Sequence, residues 1–260
     1  MKMMNETKMK KIIIGENIVK SFGVSDEKRN VLDGVSVEIN EGEFVSVMGP
    51  SGSGKSTLMF ALSGMDGVDG GKVAFDGRDL SGLKEKELAD LRRTKMGFVF
   101  QQPTLLKNLN ILDNIILPSM RDNRKNAAKI TEKARMLMKK AGISELEKRD
   151  ITQVSGGQLQ RVGICRALMS NPKIIFGDEP TGSLNSKSAQ EIMNVFSEIN
   201  ADGTAVMLVT HDANVAARTE RIMFMRDGKI VSEMRLSKFS GTDIDDRMKK
   251  VTAKMREIGI

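Results

Sequence analysis

Strand-like segments separated by polar stretches occur along much of the first eighty positions of the chain. Residues 12–20 have the composition of a strand, and apolar residues occupy every second position towards the end of the segment 31–39. A period of two predicts strands with one face in the core and one in water. A polar stretch at 25–30 separates these strands, and residues 72–78 predict another short hairpin. We therefore expect an antiparallel sheet in this part of the chain.

Short apolar runs without alternation predict buried strands elsewhere. They lie at residues 44–47, 96–100, 173–177 and 204–209. A helix is expected between the last two, at about residues 186–200, because its apolar residues recur at helical spacing. These residues are Ala189, Ile192, Met193, Phe196 and Ile199. Alternation of strand and helix is typical of parallel βαβ units.

Between about residues 103 and 149 helical patterns dominate, and one apolar face ends at Gly142. That face consists of Ala127, Ile130, Ala134, Leu137, Met138 and Ala141. A second stripe follows Phe239 and consists of Ile244, Met248, Val251, Met255 and Ile258. We expect an inserted helical subdomain and a final helix. Packing of this helix on its own domain is the preferred interpretation, and binding to a partner is the alternative.

Length, cysteine content and charge exclude several classes of protein. The 260 residues contain no apolar stretch of the roughly 18–20 residues that a membrane span requires. The N-terminus lacks a continuous apolar segment, so we expect a cytosolic protein without a secretory signal. Cys165 is the only cysteine, which excludes an intrachain disulfide and a cysteine zinc site. The net charge of +7 comes from scattered basic residues, which favours a solvated surface over a nucleic-acid partner.

A glycine-rich loop follows the apolar run at 44–47 and precedes a predicted helix. It reads Gly49-Pro-Ser-Gly-Ser-Gly-Lys-Ser-Thr57 and matches the phosphate-binding P-loop, or Walker A, pattern in its strand–loop–helix setting. Glycines leave backbone N–H groups free to surround a polyphosphate at the positive end of the helix dipole. Lys55 is expected to contact the β- and γ-phosphates, and the Ser56 hydroxyl to bind Mg²⁺. A glycine-rich turn without a ligand is the disfavoured alternative.

Three further polar residues come directly after predicted strands. Asp178 and Glu179 follow 173–177, and His211, the only histidine, follows 204–209. Ligands of open α/β sheets bind at the carboxyl ends of the strands, where these residues are expected to meet. We assign Asp178 to the metal and Glu179 to the attacking water as general base, with His211 near the γ-phosphate. The alternatives are an acidic pair that caps a turn and a histidine that only packs or caps.

A second anion-binding surface is expected at Ser155-Gly-Gly-Gln158, where a serine and two glycines open a helix. It contains no lysine. One chain thus has one P-loop and two surfaces suited to phosphate. The second surface is predicted to close on a nucleotide that another copy holds.

Taken together, these motifs resemble the nucleotide-binding subunit of an ABC transporter. The resemblance covers roughly residues 10–235 and includes the P-loop, Gln101, the Ser-Gly-Gly-Gln signature, residues 174–180 and His211. The polar insertion at 25–30, residues 97–102 and residues 180–182 resemble the branch of lipoprotein-releasing, macrolide-exporter and peptide-antibiotic-resistance ATPases. The resemblance implies an α/β fold, in which a P-loop NTPase core with a parallel sheet carries an antiparallel β subdomain and a helical insertion.

The resemblance also implies a head-to-tail homodimer with two ATP molecules at its interface. The nucleotide-binding residues it implies are Gly49, Ser51, Gly52, Ser53, Gly54, Lys55, Ser56, Thr57 and Phe22, whose ring would stack on adenine. The signature residues Ser155, Gly156, Gly157 and Gln158 would complete the ATP of the second subunit. Gln101 would join Ser56 and Asp178 at Mg²⁺ and act with Glu179 and His211 in catalysis. Asn185 departs from the family, which generally has an aspartate there, and puts cooperation between the two sites in doubt.

The sequence therefore predicts an ATPase that energises a separate integral-membrane permease from the inner face of the membrane, in export, extraction or mechanical transmission. Its ATP-binding domain would span 1–240, with core segments 10–102 and 150–235, a helical subdomain at about 103–149 and a tail at 241–260. A soluble ATPase of a scaffold complex, such as iron–sulfur assembly, is the main alternative. A DNA-acting ATPase lacks support because no sustained heptads separate Lys55 from Ser155. A degenerate subunit that binds ATP without turnover is disfavoured by the intact Lys55, Glu179 and His211.

Overall fold

The computed structural model of the chain describes residues 10–23 and 29–260. The predictions for the first eight residues and for positions 25–28 of the polar stretch lie outside the described residues. The strands are β1 (Lys11–Phe22), β2 (Arg29–Asn40), β3 (Phe44–Met48), β4 (Gly70–Phe75), β5 (Arg78–Asp79), β6 (Met96–Phe100), β7 (Ile174–Asp178), β8 (Ala205–Thr210), β9 (Arg221–Arg226) and β10 (Lys229–Arg235). The helices are α1 (Lys55–Leu62), α2 (Glu85–Lys95), α3 (Ile111–Asn123), α4 (Ala127–Lys140), α5 (Gly156–Leu168), α6 (Ser186–Ala201), α7 (Ala213–Ala216) and α8 (Ile244–Ile258).

Across the described part of the chain the strands form two sheets. The order β2-β1-β4-β5 makes an antiparallel sheet, and β10-β9-β3-β8-β7-β6 makes a second sheet in which all neighbours except β10 and β9 are parallel. In the parallel sheet Met48 pairs with Thr210, and Phe100 pairs with Asp178. This register brings the P-loop and the residues that follow β6, β7 and β8 to one edge.

The parallel sheet has an apolar cluster on each of its two faces. One cluster includes Leu58 and Leu62 of α1 and joins both sheets, with Phe75 of β4 and Phe176 of β7 among its buried members. The other packs α6 against the opposite face of the parallel sheet, around Phe196. Full burial of one such side chain contributes about 1.5–3 kcal/mol. The sheet edge that carries the polar residues is therefore supported from both faces.

The helical insertion has an apolar cluster of its own. α3 and α4 pack against α5 through residues that include Ile115, Ala134 and Met138. The predicted apolar face lies in this cluster except for Ala127, and Ala134, Met138 and Ala141 are buried. α5 joins the insertion to the sheet because Ile164, on another side of the same helix, packs in the cluster around Phe196.

The structure confirms the strands and helices that the hydrophobic pattern predicts among the described residues, including the final helix. α8 packs on its own domain, with Val251 fully buried. Four elements have no counterpart in the sequence analysis: α2, α7, β9 and β10. α2 has no fully buried residue and β10 lies at the sheet edge, so both have weak apolar patterns. No helix within residues 10–23 and 29–260 combines the length and apolar content that would let it cross a membrane.

Candidate functional site

The P-loop lies between the end of β3 and the start of α1, and its backbone requires glycine. Gly52 and Gly54 have φ angles of 81° and 98°, which L side chains rarely adopt. A Cβ atom on Gly54 would lie 2.6 Å from the carbonyl oxygen of Val31, and one on Gly49 would lie 2.1 Å from that of Met225. The loop is therefore packed under the β2 strand and the end of β9. Glycine at these positions is a steric requirement of the fold.

Lys55 opens α1 and folds back on the loop. Its Nζ atom donates to the carbonyl oxygens of Gly49 and Pro50 at 2.9 and 2.8 Å, and the residue is only 7% exposed. Burial lowers the pKa of this ammonium group, although the nearby Glu179 and Asp178 oppose the shift. Its positive charge therefore lies in a poorly solvated loop without a bonded carboxylate among the described residues. Phosphate oxygens would compensate that charge better than two neutral carbonyl groups.

The side chain of Ser53 provides a test of whether the loop fits a phosphate. Its Oγ atom is buried and has no hydrogen-bond partner in the part of the chain that the structure describes. Buried hydroxyl groups in native proteins are generally paired. A hydroxyl without a partner in a glycine-rich loop beside Lys55 fits an anion that brings its own oxygen atoms.

Ser56 and Asp178, the two residues that the sequence predicts on the metal side of the site, are in contact. The Ser56 Oγ atom donates to Oδ1 of Asp178 at 2.8 Å, across the edge of the sheet. Burial raises the pKa of the Asp178 carboxyl group, and the negative charge of Glu179 raises it further, against the effect of the Ser56 bond. A hydroxyl and a carboxylate are hard oxygen donors, the type that Mg²⁺ prefers. The residues present therefore fit this ion.

Glu179 and His211 form the second polar pair of the site. His211 Nδ1 lies 2.8 Å from Glu179 Oε1, and the side chains are 65% and 19% exposed, respectively. Glu179 has a positive φ of 47°, an unfavourable conformation for a residue with a side chain. Its N–H group donates to Val209 O at 2.9 Å, which holds the turn after β7 against the end of β8. The carboxylate is thereby kept at the edge where Lys55 lies.

Gln101 begins the loop that leads from β6 into the helical insertion. Its side chain is exposed and lies over the turn after Glu179, since a Cβ atom on Gly182 would be 2.9 Å from Gln101 Nε2. Its carbonyl oxygen accepts from Ser183 Oγ at 3.3 Å. The preceding carbonyl, that of Phe100, accepts from the buried Gln160 Nε2 at 2.9 Å. Gln101 is thus bonded to the turn after Glu179, and the residue before it is bonded to α5.

Phe22 lies at the end of β1, opposite Arg29 of β2. The ring is 50% exposed, and the Lys20 Nζ atom lies 5.3 Å from its centroid. Lys20 is itself held by Asp66 Oδ1 at 2.8 Å and Gly67 O at 2.7 Å. Arg29 lies two residues before Val31, whose carbonyl oxygen faces Gly54, so Phe22 lies on the pair of strands that reaches the P-loop. An exposed aromatic ring in that place fits a stacked base.

The signature residues stand at the N-terminus of α5. Ser155 caps the helix: its Oγ accepts from the Gln158 N–H group at 3.3 Å, and its own N–H group donates to Gln158 Oε1 at 2.8 Å. A Cβ atom on Gly157 would approach Ser188 of α6 to 3.1 Å. The structure therefore places Ser155, Gly156, Gly157 and Gln158 beside the start of α6. Their described hydrogen bonds are local and include none to the P-loop of the same chain.

Asn185 caps α6, next to the signature. Its side-chain oxygen accepts from the Ser188 N–H group at 2.9 Å. The amide therefore supplies the capping oxygen that an aspartate would supply, without the negative charge.

The structure brings most of the predicted site residues together at one sheet edge, but the signature residues lie apart from them. Lys55, Ser56, Asp178, Glu179 and His211 meet at the edge of the parallel sheet, whereas the signature lies apart. Sequence analysis missed two supporting residues, Gln160 behind Gln101 and Lys20 beside Phe22. A buried glutamine in an apolar helix is a signal for Gln160, because such a group needs a partner. Nothing in the strand pattern distinguishes Lys20 from any other edge lysine.

Comparison with known proteins gives a family match and close relatives. The family model described as "ABC transporter" matches residues 32–182. The lipoprotein-releasing system ATP-binding protein LolD of Aquifex aeolicus is 40% identical over 227 residues, which cover 87% of this chain and 99% of that protein. The macrolide export ATP-binding/permease protein MacB of Pasteurella multocida is 42% identical over 218 residues, or 84% of this chain and 33% of that protein. The chain thus spans about a third of the MacB relative.

Solved structures give the same fold. The ATP-binding cassette MJ0796, in a dimeric post-hydrolysis state bound to ADP and Pi, superposes with a TM-score of 0.78. It is 38% identical, and the match covers 88% of this chain and all of that one.

Proposed function

The chain belongs to the ABC transporter family as an ATP-binding, ATP-hydrolysing subunit, and from that premise we propose how its residues hold and hydrolyse ATP. The P-loop residues Gly49, Ser51, Gly52, Ser53, Gly54, Lys55, Ser56 and Thr57 bind the phosphates. Lys55 leaves the carbonyl groups of its own loop for the β- and γ-phosphates. Phe22 stacks on the adenine ring. Burial of the Lys55 charge and the unpaired Ser53 hydroxyl support this assignment.

One observation carries the catalytic assignment: the Glu179–His211 pair lies at the sheet edge that also holds Lys55 and Asp178. In our proposal Glu179 takes the proton of the attacking water, and His211 orients Glu179 and contacts the γ-phosphate. Gln101 positions the water from the side of the helical insertion. Mg²⁺, when bound by Ser56, Asp178 and Gln101, would neutralise charge on the phosphates.

We propose that two copies of the chain form a head-to-tail homodimer around two ATP molecules. The position of the signature supports this arrangement, because its described bonds are local while its helix N-terminus suits an anion. Ser155, Gly156, Gly157 and Gln158 then complete the ATP bound to the partner's P-loop. In this proposal residues 1–240 form the ATP-binding domain, 103–149 is its helical subdomain, and 241–260 is a C-terminal tail.

A groove of about 680 Å³ between the parallel sheet and the helical insertion suits a membrane partner. Phe98 and Phe100 of β6 and Pro118 of α3 contribute apolar surface, and the cations that line it are Arg92, Arg93, Lys129, Lys133 and Arg166. Arg92 and Arg93 already pair with carboxylates of α2. The lining contains no acidic residue among those the structure describes.

Two of the groove cations have only neutral hydrogen-bond acceptors among the bonds described. Lys133 donates to Met169 O and to the Asn171 side chain, and Arg166 donates to Thr104. Burial lowers the pKa of both side chains. We propose that the groove receives a cytoplasmic segment of an integral-membrane permease that carries carboxylate groups beside apolar residues. Through that partner the chain would be held on the inner face of the membrane.

The names of the relatives support export or extraction as the transport class, because one is a macrolide exporter and another a lipoprotein-releasing protein. Mechanical transmission to an extracytoplasmic domain is consistent with the same branch. A soluble ATPase of a cytosolic scaffold complex, as in iron–sulfur assembly, is the alternative, and nucleic acid is not an expected partner.

Co-purification from detergent-solubilised membranes of the host tests this function. Glu179→Gln protein with ATP and Mg²⁺ should retain an integral-membrane protein, and Lys55→Ala protein, which cannot hold ATP, should show no effect of nucleotide. Lys129→Glu reverses an exposed charge in the groove and should weaken the complex, whereas Lys139→Glu on the same helix but outside the groove should not. A soluble complex without a membrane protein would favour the scaffold alternative.

A further inference from the structure

The C-terminal helix α8 supports two segments of the nucleotide site from behind. Its apolar residues pack in one cluster with Met48, which immediately precedes the P-loop, and with Ala216 and Ala217, which follow His211 in the chain. The helix contributes Ile244, Met248, Val251, Met255 and Ile258 to this cluster. These are the residues of the stripe seen in the sequence. The apolar stripe of α8 is therefore packed against its own domain. The helix contacts the segments that carry the P-loop and His211 on the side away from the nucleotide.

A buried arginine connects α8 to the segment after His211. Arg247 is 2% exposed, and its guanidinium donates to three backbone carbonyl oxygens: Ala217 at 2.5 Å, Ser237 at 2.7 Å and Thr219 at 2.8 Å. The ring of Phe239 lies 5.5 Å from the Arg247 guanidinium. A desolvated guanidinium is costly unless its donors are used, and here they join three separate points of backbone. Arg247 thus fixes the end of α7 and the chain that enters β9.

Hydrogen bonds continue from that point to the residue next to His211. The Ala217 N–H group donates to Ala213 O at 2.9 Å, and the Ala216 N–H group donates to Asp212 O at 3.1 Å. The Asp212 side chain caps the same turn by accepting from the Asn214 N–H group at 2.8 Å. The single turn of α7 is therefore held at both ends, by Asp212 at its start and by Arg247 at its finish.

His211 depends on this backbone for its orientation. Its side chain is 65% exposed, and its described polar contact is the one with Glu179. A side chain with so little packing can point consistently at a reacting group only if its own backbone is rigid. We propose that Arg247, carried by α8, is a positioning residue for His211. This inference rests on the proposed role of His211 in ATP hydrolysis.

Turnover measurements on the full chain test the proposal. Arg247→Gln should lower kcat for ATP by about 10- to 100-fold, the scale expected when a catalytic group is displaced by about 1 Å, with KM within about twofold of the parent value. In a His211→Ala background the same substitution should cause no further loss. Lys249→Gln removes an exposed positive charge from the same helix and should leave kcat unchanged. Equal losses from Arg247→Gln in both backgrounds would overturn the proposal, as would an unchanged kcat.

A measurement that does not involve catalysis separates this inference from the proposed function. His211 is the only histidine, so its imidazole NMR signals need no assignment among several rings. Arg247→Gln should shift and broaden these signals, and Lys249→Gln should leave them in place. If Arg247→Gln does not fold, Arg247→Lys, which keeps the charge and loses the planar fork, replaces it in both experiments. Unchanged imidazole signals in the folded variant would refute positioning. Full turnover by His211→Ala would instead refute the role of His211 in hydrolysis.

Discussion

His211 Nδ1 lies 2.8 Å from Glu179 Oε1, at the point where the loops after β8 and β7 meet. Glu179 holds this position with a positive φ of 47°, so the backbone is strained at the residue assigned as the base. Strained residues persist where the surroundings determine their conformation, and they cluster at functional sites. Glu179 can accept a proton, and the contact with His211 can orient the Glu179 carboxylate.

Glu179→Gln should stop turnover and retain nucleotide binding. Glutamine keeps the oxygen that faces His211 but cannot accept the proton of water, so phosphate release should fall by about 10²- to 10⁴-fold. Equilibrium ATP binding should change little, and ATP should trap a dimer that size-exclusion chromatography resolves. Glu198→Gln, an exposed substitution on α6, is the matched control. Normal phosphate release by Glu179→Gln would mean that another group is the base.

Asp178→Asn should stabilise the nucleotide-free protein while it weakens the Mg²⁺ site. Burial raises the pKa of Asp178 in the folded state above its unfolded value, so the ionised carboxylate disfavours folding. That cost is present at neutral pH and disappears as the pH falls below the unfolded-state pKa of about 3.9. The variant should therefore show a Tm about 1–2 °C higher at pH 7, with a smaller gain near pH 4.

Thermal unfolding with and without MgATP completes that test. Binding of a ligand to the folded state raises Tm, and the rise grows with the logarithm of the ratio of ligand concentration to Kd. The parent protein should gain more from MgATP than from ATP with a chelator, and Asp178→Asn should lose this difference. A variant that is less stable than its parent at pH 7 would contradict the desolvation cost.

Lys20→Met should weaken ATP binding through Phe22. The substitution keeps an apolar stem and removes the cation that lies 5.3 Å from the ring centroid. A cation–π contact of this kind is worth about 0.5–1 kcal/mol at an exposed site, which corresponds to a two- to fivefold rise in Kd. Tripolyphosphate, which has no base, should bind both proteins equally.

Asp66→Asn provides the matched control for that prediction. It removes the carboxylate partner of Lys20 and leaves the cation at the ring. If Lys20 acts on Phe22, the control should bind ATP normally. Equal weakening in both variants would show that Lys20 only anchors the end of β1.

Asn185→Asp should raise the stability of the folded chain. An aspartate would keep the capping bond to the Ser188 N–H group and add a negative charge at the N-terminus of α6, where the helix dipole favours it by about 0.3–1 kcal/mol. Asn185→Ala should lower the free energy of unfolding by about 1 kcal/mol, because the cap is lost. Denaturant unfolding of the nucleotide-free protein measures both. A decrease on Asn185→Asp would show that a negative charge is disfavoured at this place.

Much of the fold could be read from local patterns, because those patterns repeat the geometry of the elements. Strand-like composition predicted β1, a period of two predicted β2, short apolar runs predicted β6 and β7, and helical spacing predicted α4 and α8. Among the elements that escaped prediction, α2 has no fully buried residue and β10 lies at a sheet edge, whereas β9 is a buried inner strand. For α2, contacts with the rest of the protein stabilise a segment whose own apolar pattern is weak.

Sequence alone determined which chemical groups the site contains: the spacing of the P-loop glycines, Lys55 and Ser56, and the acidic pair after a buried strand. Only the tertiary structure decided which groups touch. It joined Ser56 to Asp178 and Glu179 to His211, placed Lys20 beside Phe22, and set Arg247 behind the histidine loop. Local patterns report burial and backbone geometry within one segment. The partners of a polar group come from the register of strands far apart in the chain, which no local pattern records.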